Sequence, residues 1–210
     1  MAAGWNAFNV IVTPGDVTGD GNADILARTA AGALMIYPGN GTGGLRASRQ
    51  IASGWRAMTA VTNAGDMTGD RRGDLLVRDA AGRLWLYPMV GNARFQARRL
   101  VASGWAGMTA IQGAGDVSGD RRADILARDR AGRLWLYRGN GAGRVAAPTL
   151  VGSWWQAMTA LVTPGNWNRA SGNDLIARDA AGRLWLHPGN NAGRFGPKRQ
   201  VASAWGGSIA

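Results

Sequence analysis

Carboxylates in this chain fall into a spaced loop. Asp16-Val17-Thr18-Gly19-Asp20-Gly21-Asn22-Ala23-Asp24 sets oxygen-bearing side chains at loop positions 1, 3, 5, 7 and 9, with glycine at position 6 to permit a sharp bend. Such a set can turn inward on a hard cation. Calcium suits it, with carboxylates, a hydroxyl and a backbone carbonyl as oxygen donors and neither thiol nor imidazole to favour a softer metal. The expected ligands are Asp16, Thr18, Asp20, Asn22 and Asp24, and this first loop is the best of the copies. The second copy offers Asp66, Thr68, Asp70 and Asp74, and the third Asp116, Ser118, Asp120 and Asp124. In both, arginine replaces the sixth-position glycine, so that Arg71-Arg72 and Arg121-Arg122 sit beside the carboxylates, where charge-assisted pairing can make a metal unnecessary. The fourth copy, with Asn166, Asn168, Ala170 and Asp174, has lost two carboxylates and is expected to bind nothing. The alternative for all copies is structural: aspartates cap turns through backbone N–H groups.

A second recurring chemistry is aromatic. Tryptophan follows a small residue at Trp55, Trp105 and Trp205, with Trp5 and Trp155 in the same register, and a second set stands at Trp85/Tyr87, Trp135/Tyr137 and Trp185/His187. An aromatic ring beside small polar residues can stack on a sugar, so Trp55, Trp105, Trp155, Trp205, Tyr87, Tyr137 and His187 are candidate ligand-binding residues. The competing reading makes them wedges that fill space between structural units, and for the strand tryptophans this is preferred. His187 stands where other copies have tyrosine, which marks a packing substitution rather than a general base. No asymmetric acid, base or nucleophile constellation is legible, so the chain is read as non-enzymatic.

What positions these residues is a repeat. The five tryptophans Trp5, Trp55, Trp105, Trp155 and Trp205 are spaced 50 residues apart, and each opens the same segment. A period of this size marks an array of equal supersecondary units. The units are about 5–54, 55–104, 105–154 and 155–204, with a closing segment at 205–210, in one domain spanning 1–210. Within a unit, strands are expected at 58–62, 74–78, 83–87 and 98–102, with a tight turn at Asp79-Ala80-Ala81-Gly82. Four strands per unit predict an all-β, four-bladed β-propeller. Ala202-Ser203-Ala204-Trp205 echoes Ala52-Ser53-Gly54-Trp55, an overlap that favours closure within one chain, as a monomer, over two chains completing a larger ring.

Composition sets the outer limits. With 46% hydrophobic residues and ten tryptophans in 210 residues, a packed core is expected. No apolar run has the roughly 20 residues that a membrane-spanning helix needs. Basic residues outnumber acidic ones 24 to 13, a net charge of +11, and all but Lys198 of the basic residues are arginines. That makes an anionic cell surface a plausible partner. Nucleic acid is not expected as a partner, since no recognition helix or single-strand-binding module is legible. Cysteine is absent, and Met1-Ala2-Ala3-Gly4 does not read as a signal peptide, so a secreted form would be mature or excised.

The loop Asp-x-Thr-Gly-Asp-Gly-x-x-Asp, followed by a strand and repeated with a fixed period, resembles the FG-GAP or VCBS-type repeat of integrin α-subunit propellers and secreted bacterial proteins. The repeat is also similar to that of PVL-type propeller lectins. The resemblance implies a β-propeller, calcium in the strand-connecting loop, a secreted protein, and carbohydrate or glycoconjugate partners held between adjacent blades. Thr18, Thr68 and Ser118 stand where the family has a third-position aspartate, which implies weaker calcium binding. The expected function is a lectin-like module with several equivalent sites. Two rivals are a protein-interaction or inhibitor propeller and the cell-surface targeting domain of a larger secreted enzyme.

Overall fold

The computed structural model describes residues 4–203, and its chain divides into two compact units, Met1–Ala106 and Gly107–Ala210. Unit 1 holds two four-stranded antiparallel sheets. The first is β1 (Phe8–Gly15), β2 (Asp24–Thr29), β3 (Leu34–Tyr37) and β4 (Arg49–Ala52), paired in that order. The second is β5 (Met58–Gly65), β6 (Asp74–Asp79), β7 (Leu84–Tyr87) and β10 (Arg99–Ala102), with a small hairpin, β8 (Met89–Val90) and β9 (Arg94–Phe95), where the other blades keep a single bridge such as Gly39 to Leu45. Unit 2 repeats the plan with β11 (Met108–Gly115), β12 (Asp124–Asp129), β13 (Leu134–Tyr137) and β14 (Thr149–Gly152), then β15 (Met158–Gly165), β16 (Asp174–Asp179), β17 (Leu184–His187) and β18 (Arg199–Ala202). The chain is all-β, built of four propeller blades, two in each unit.

The local sequence explains each blade. Strand three reads Leu-Trp-Leu-Tyr in the middle repeats, and period-two alternation sends Leu84 and Leu86 to one face, fully buried, and Trp85 and Tyr87 to the other, partly exposed. Strand two is apolar on both faces, as a central strand covered on both sides must be, and Leu75, Leu76 and Val77 are all buried. The hairpin joining strands two and three closes on a left-handed glycine, Gly82 at φ 73°, whose N–H returns to the Asp79 carbonyl at 3.0 Å. The first strand of each blade runs three residues past its expected end, to Gly65 in the second repeat. Its final residue pairs with the aspartate that opens strand two, Gly65 with Asp74.

Blades within a unit pack face against face. In unit 1, Leu26, Leu34 and Ile36 of the first blade meet Trp55, Leu75 and Val77 of the second, with Val17 and Met89 in the same cluster. In unit 2, Leu126, Leu134 and Leu136 meet Leu161, Leu175 and Ala177. Truncating one of these leucines to alanine removes buried methyl groups and leaves a cavity, a loss of about 2–5 kcal/mol. Polar clamps cross the same seams. Buried Arg28 reaches from β2 with Nη1 to the carbonyl of Trp55 at 3.1 Å and that of Met58, and Arg128 does the same to Trp155 at 2.9 Å and Met158. Burial lowers the pKa of both guanidinium groups, which stay cationic because the carbonyls supply acceptors.

Candidate functional site

The aspartate loops fold into turns held by their own backbone. Asp16 Oδ1 accepts the N–H of Gly19 at 2.7 Å and of Asp20 at 3.2 Å, and Oδ2 accepts that of Gly21 at 2.8 Å. Asp24 is buried and closes the loop from the other side. Its Oδ2 takes the N–H groups of Val17 and Thr18, both at 2.9 Å, and its Oδ1 takes that of Gly39 at 3.1 Å. Asp20 accepts Asn22 N at 2.9 Å on Oδ1 and pairs through Oδ2 with Arg46 at 3.0 Å. Loops two and three keep the pattern: Asp66 holds Gly69, Asp70 and Arg71, Asp74 holds Met67, Thr68 and Met89, and Asp116 and Asp124 make the corresponding bonds. In the fourth loop Asp174 holds Asn168 and Gly189, and Asn168 Oδ1 takes Ala170 N.

This geometry shows what the loops do. Residue two of the loop, Val17, Met67 or Val117, is about 1% exposed and belongs to the core. The neighbouring blade also docks here: Asn92 and Ala93 donate backbone N–H groups to Thr18 and Val17 at 2.9 and 2.8 Å, and Gly193 donates to Val117 at 2.9 Å. Among the described residues, no group of three or more acidic or histidine side chains converges on a point where a metal could sit. Every oxygen of Asp16 and Asp24 accepts a backbone N–H, so both carboxylates cap the turn. The loop arginines do not neutralise the carboxylates. Arg71, Arg72, Arg121 and Arg122 are exposed, and among the described residues none forms an ion pair with a loop carboxylate.

Electrostatics differ between the two aspartates. Burial works against charge on Asp16, but the N–H groups of Gly21, Gly19 and Asp20 outweigh it and hold the carboxyl below its ordinary range. Asp74 goes the other way: burial, opposed by the N–H groups of Met89 and Met67 and reinforced by Asp70, pushes it up to about 6.

The aromatic candidates separate into filled and open copies. Trp55 is 4% exposed, with Tyr87 at 4.8 Å and Phe95 stacked at 5.7 Å, centroid to centroid. Trp105 is 3% exposed. Such burial leaves no ring face for a ligand, so both act as wedges. Trp155 lies 4.6 Å from His187 and packs in the unit 2 core with Phe195 beside it. Tyr137 and His187 are buried, and Tyr87 accepts a hydrogen bond from Arg98 at 3.2 Å. Trp205 lies outside the described residues. Trp85, Trp135 and Trp185 each donate the indole N–H to Asp79, Asp129 and Asp179 at 2.9, 3.0 and 2.9 Å. Arg98 and Lys198 cover Trp85 and Trp185 at 4.2 and 4.4 Å from the ring centroid.

The open copy is the first, and Trp5 and Tyr37 were not among the candidates. Their rings lie 4.7 Å apart, with Phe8 at 5.4 Å from Trp5. Beside them a cavity of about 740 Å³ opens, lined by Trp5, Tyr37, Gly43, Gly44, Leu45 and Arg46, with Ser48 at its margin. Leu45, which lines it, is 42% exposed, where the second and fourth blades place Phe95 and Phe195 against the core. Arg46, held by Asp20, and Ser48 add polar groups to an aromatic wall. This mix of apolar ring face and few polar groups is what a small polar ring ligand requires.

The blade architecture defines a propeller-type repeat protein, and the comparisons agree. Residues 16–77 match the family model described as the FG-GAP-like repeat, so that repeat is present in the first two blades. No curated protein matches the chain. Among solved structures, it is similar to an Agrocybe aegerita lectin described as specifically recognising non-reducing terminal N-acetylglucosamine, at 22% identity and a TM-score of 0.62, over 91% of this chain and 51% of that one. It is also similar to the BP39L lectin from Burkholderia pseudomallei, at 19% identity and a TM-score of 0.64, over 91% of this chain and 55% of that one. The chain spans about half the length of these structures, and at such identities the likeness shows the fold.

Proposed function

We propose that this chain is a non-enzymatic, lectin-like module that binds a sugar ring in the Trp5–Tyr37 pocket. The carrying observation is that the first copy of a repeated aromatic site lines a cavity while Trp55 and Trp105 of later copies are buried. The indole of Trp5 offers a face for the C–H surface of a pyranose, and Arg46 and Ser48 offer hydrogen bonds to its hydroxyls. Structural similarity to two lectins supports the reading.

Calorimetric titration of sugars into wild-type protein and the Trp5→Ala variant tests it. The reading predicts at least tenfold weaker binding for the variant with an unchanged far-ultraviolet spectrum. Equal binding by both proteins contradicts it.

A further inference from the structure

Trp154 breaks the repeat. The residue before the recurring tryptophan is Gly4, Gly54 and Gly104 in the other copies, all with left-handed backbone at φ 107°, 77° and 80°. Trp154 holds the same conformation at φ 72°, which glycine adopts freely and a bulky side chain does not. No burial offsets that strain, because Trp154 is 79% exposed, the most exposed large hydrophobic side chain among the described residues. A strained backbone presenting a bare indole to water loses stability twice, and such losses persist where the side chain has another use.

The surroundings depart from the repeat at the same place. As Trp55 and Trp105 do to Gly32 and Gly82, Trp155 donates its backbone N–H to the Gly132 carbonyl at 2.9 Å, which brings the hairpin tip Asp129–Gly132 beside this segment. That tip carries Arg130 where other copies have Ala30, Ala80 and Ala180. Gln156, where others have Asn6, Arg56 and Ala106, lays its side-chain amide against Gly132. Ser153, Gln156, Arg130 and Ala131 are exposed. The segments beside Trp154 thus carry exposed polar and small residues. Stable protein partners need roughly 800 Å² on each side, far more than one indole supplies. A single sugar ring needs one aromatic face and a polar rim.

We infer that Trp154, with Gln156 and Arg130 on the adjoining segments, is a second carbohydrate site, a stacking platform for one pyranose ring, outside the repeated aromatic positions. This rests on the glycan-binding reading above. The test is Trp154→Gly, which restores the residue of the other repeats, measured by calorimetric stoichiometry and melting temperature with a sugar bound by the wild-type protein. The variant is expected to melt higher and to bind one fewer sugar per chain, while Trp5→Ala retains the Trp154 site. In wild-type protein, saturating sugar is expected to slow oxidation of Trp154 by N-bromosuccinimide, read by mass spectrometry. Wild-type binding with unchanged stoichiometry and affinity in Trp154→Gly overturns this site and leaves the Trp5 pocket standing. Absence of any sugar binding by wild-type protein overturns both.

Discussion

Trp85 donates its indole N–H to Asp79 at 2.9 Å, and the same carboxylate oxygen takes Nε of Arg83 at 2.7 Å. The trio recurs as Asp129, Arg133 and Trp135 and as Asp179, Arg183 and Trp185, and is replaced as a set by Thr29, Ala33 and Met35 in the first blade. The side chains therefore act together, fixing the hairpin between strands two and three. For Asp79 and Asp179 the indole N–H, opposed by burial and helped by Arg83 or Arg183, brings the carboxyl down to about 2. For Asp129 burial opposes, and the Trp135 and Arg133 bonds still bring it to about 2.

A folded pKa below the unfolded value of 3.8 stabilises the protein above about pH 4, and that stabilisation is lost as pH falls through 2. Urea unfolding of wild type and Asp79→Asn at pH 7, 4 and 2.5 is expected to show the variant less stable at neutral pH, with the gap shrinking in acid. A gap independent of pH contradicts the trio's role.

His187 titrates in a different window. Burial, with Lys198 adding to it, lowers its pKa from 6.5 to about 4, and its Nε2 has no hydrogen-bond partner among the described residues. The folded state resists protonation, so the stabilisation present above pH 6.5 falls away toward pH 4, by up to about 3 kcal/mol. Asp74, raised to about 6, acts in the opposite sense, since protonation between pH 6 and 4 favours its folded form. The difference between wild type and His187→Tyr isolates the histidine. Restoring tyrosine is expected to matter little at pH 7.5 and to stabilise increasingly between pH 6.5 and 4; a flat difference rejects the assignment.

Arg71 and Arg121 occupy the loop position that Gly21 fills in the first blade, with left-handed φ of 67° and 66° against 85° for the glycine. Their backbone N–H groups bond Asp66 and Asp116 at 2.7 Å whatever the side chain. Arg71→Gly and Arg121→Gly are each expected to raise stability by about 1 kcal/mol, read from denaturant midpoints. Destabilisation by either would show that the guanidinium makes a contact important to the loop.

The loops as turn caps make a further distinction. Asp24→Ala leaves the N–H groups of Val17, Thr18 and Gly39 without their acceptor and is expected to cost about 2–3 kcal/mol. Calcium and chelator are expected to leave the melting temperature of wild type unchanged. A calcium-dependent rise that Asp20→Ala abolishes would establish a cation in the first loop.

Much of the blade was legible because its signals are local. The alternation of Leu84-Trp85-Leu86-Tyr87 and the Asp79–Gly82 turn set strands two and three, whereas the short β8–β9 pairing was not legible. The site was less legible because it depends on what lies across the seam. Trp55 and Trp5 are equivalent in sequence, yet Trp55 is buried in one cluster with Leu26, Leu34 and Ile36 of the first blade and Trp5 lines a cavity. The residue at position 45 of the repeat, Leu45, Phe95, Val145 and Phe195, does not signal this difference, since Trp105 is buried in the repeat that carries Val145. The aspartates carry two readings for a physical reason: inward oxygens that suit a cation suit a row of backbone N–H groups equally well.

The central claim is that the space beside Trp5 and Tyr37 receives a sugar. The direct measurement is a glycan array probed with wild-type protein and with Leu45→Phe, which puts into the first blade the side chain that Phe95 contributes to the core of the second. The account predicts that wild type binds a defined set of glycans and that Leu45→Phe, folded and at least as stable, loses the signal due to this pocket. Identical array profiles for the two proteins, or no glycan bound by wild type, would contradict it.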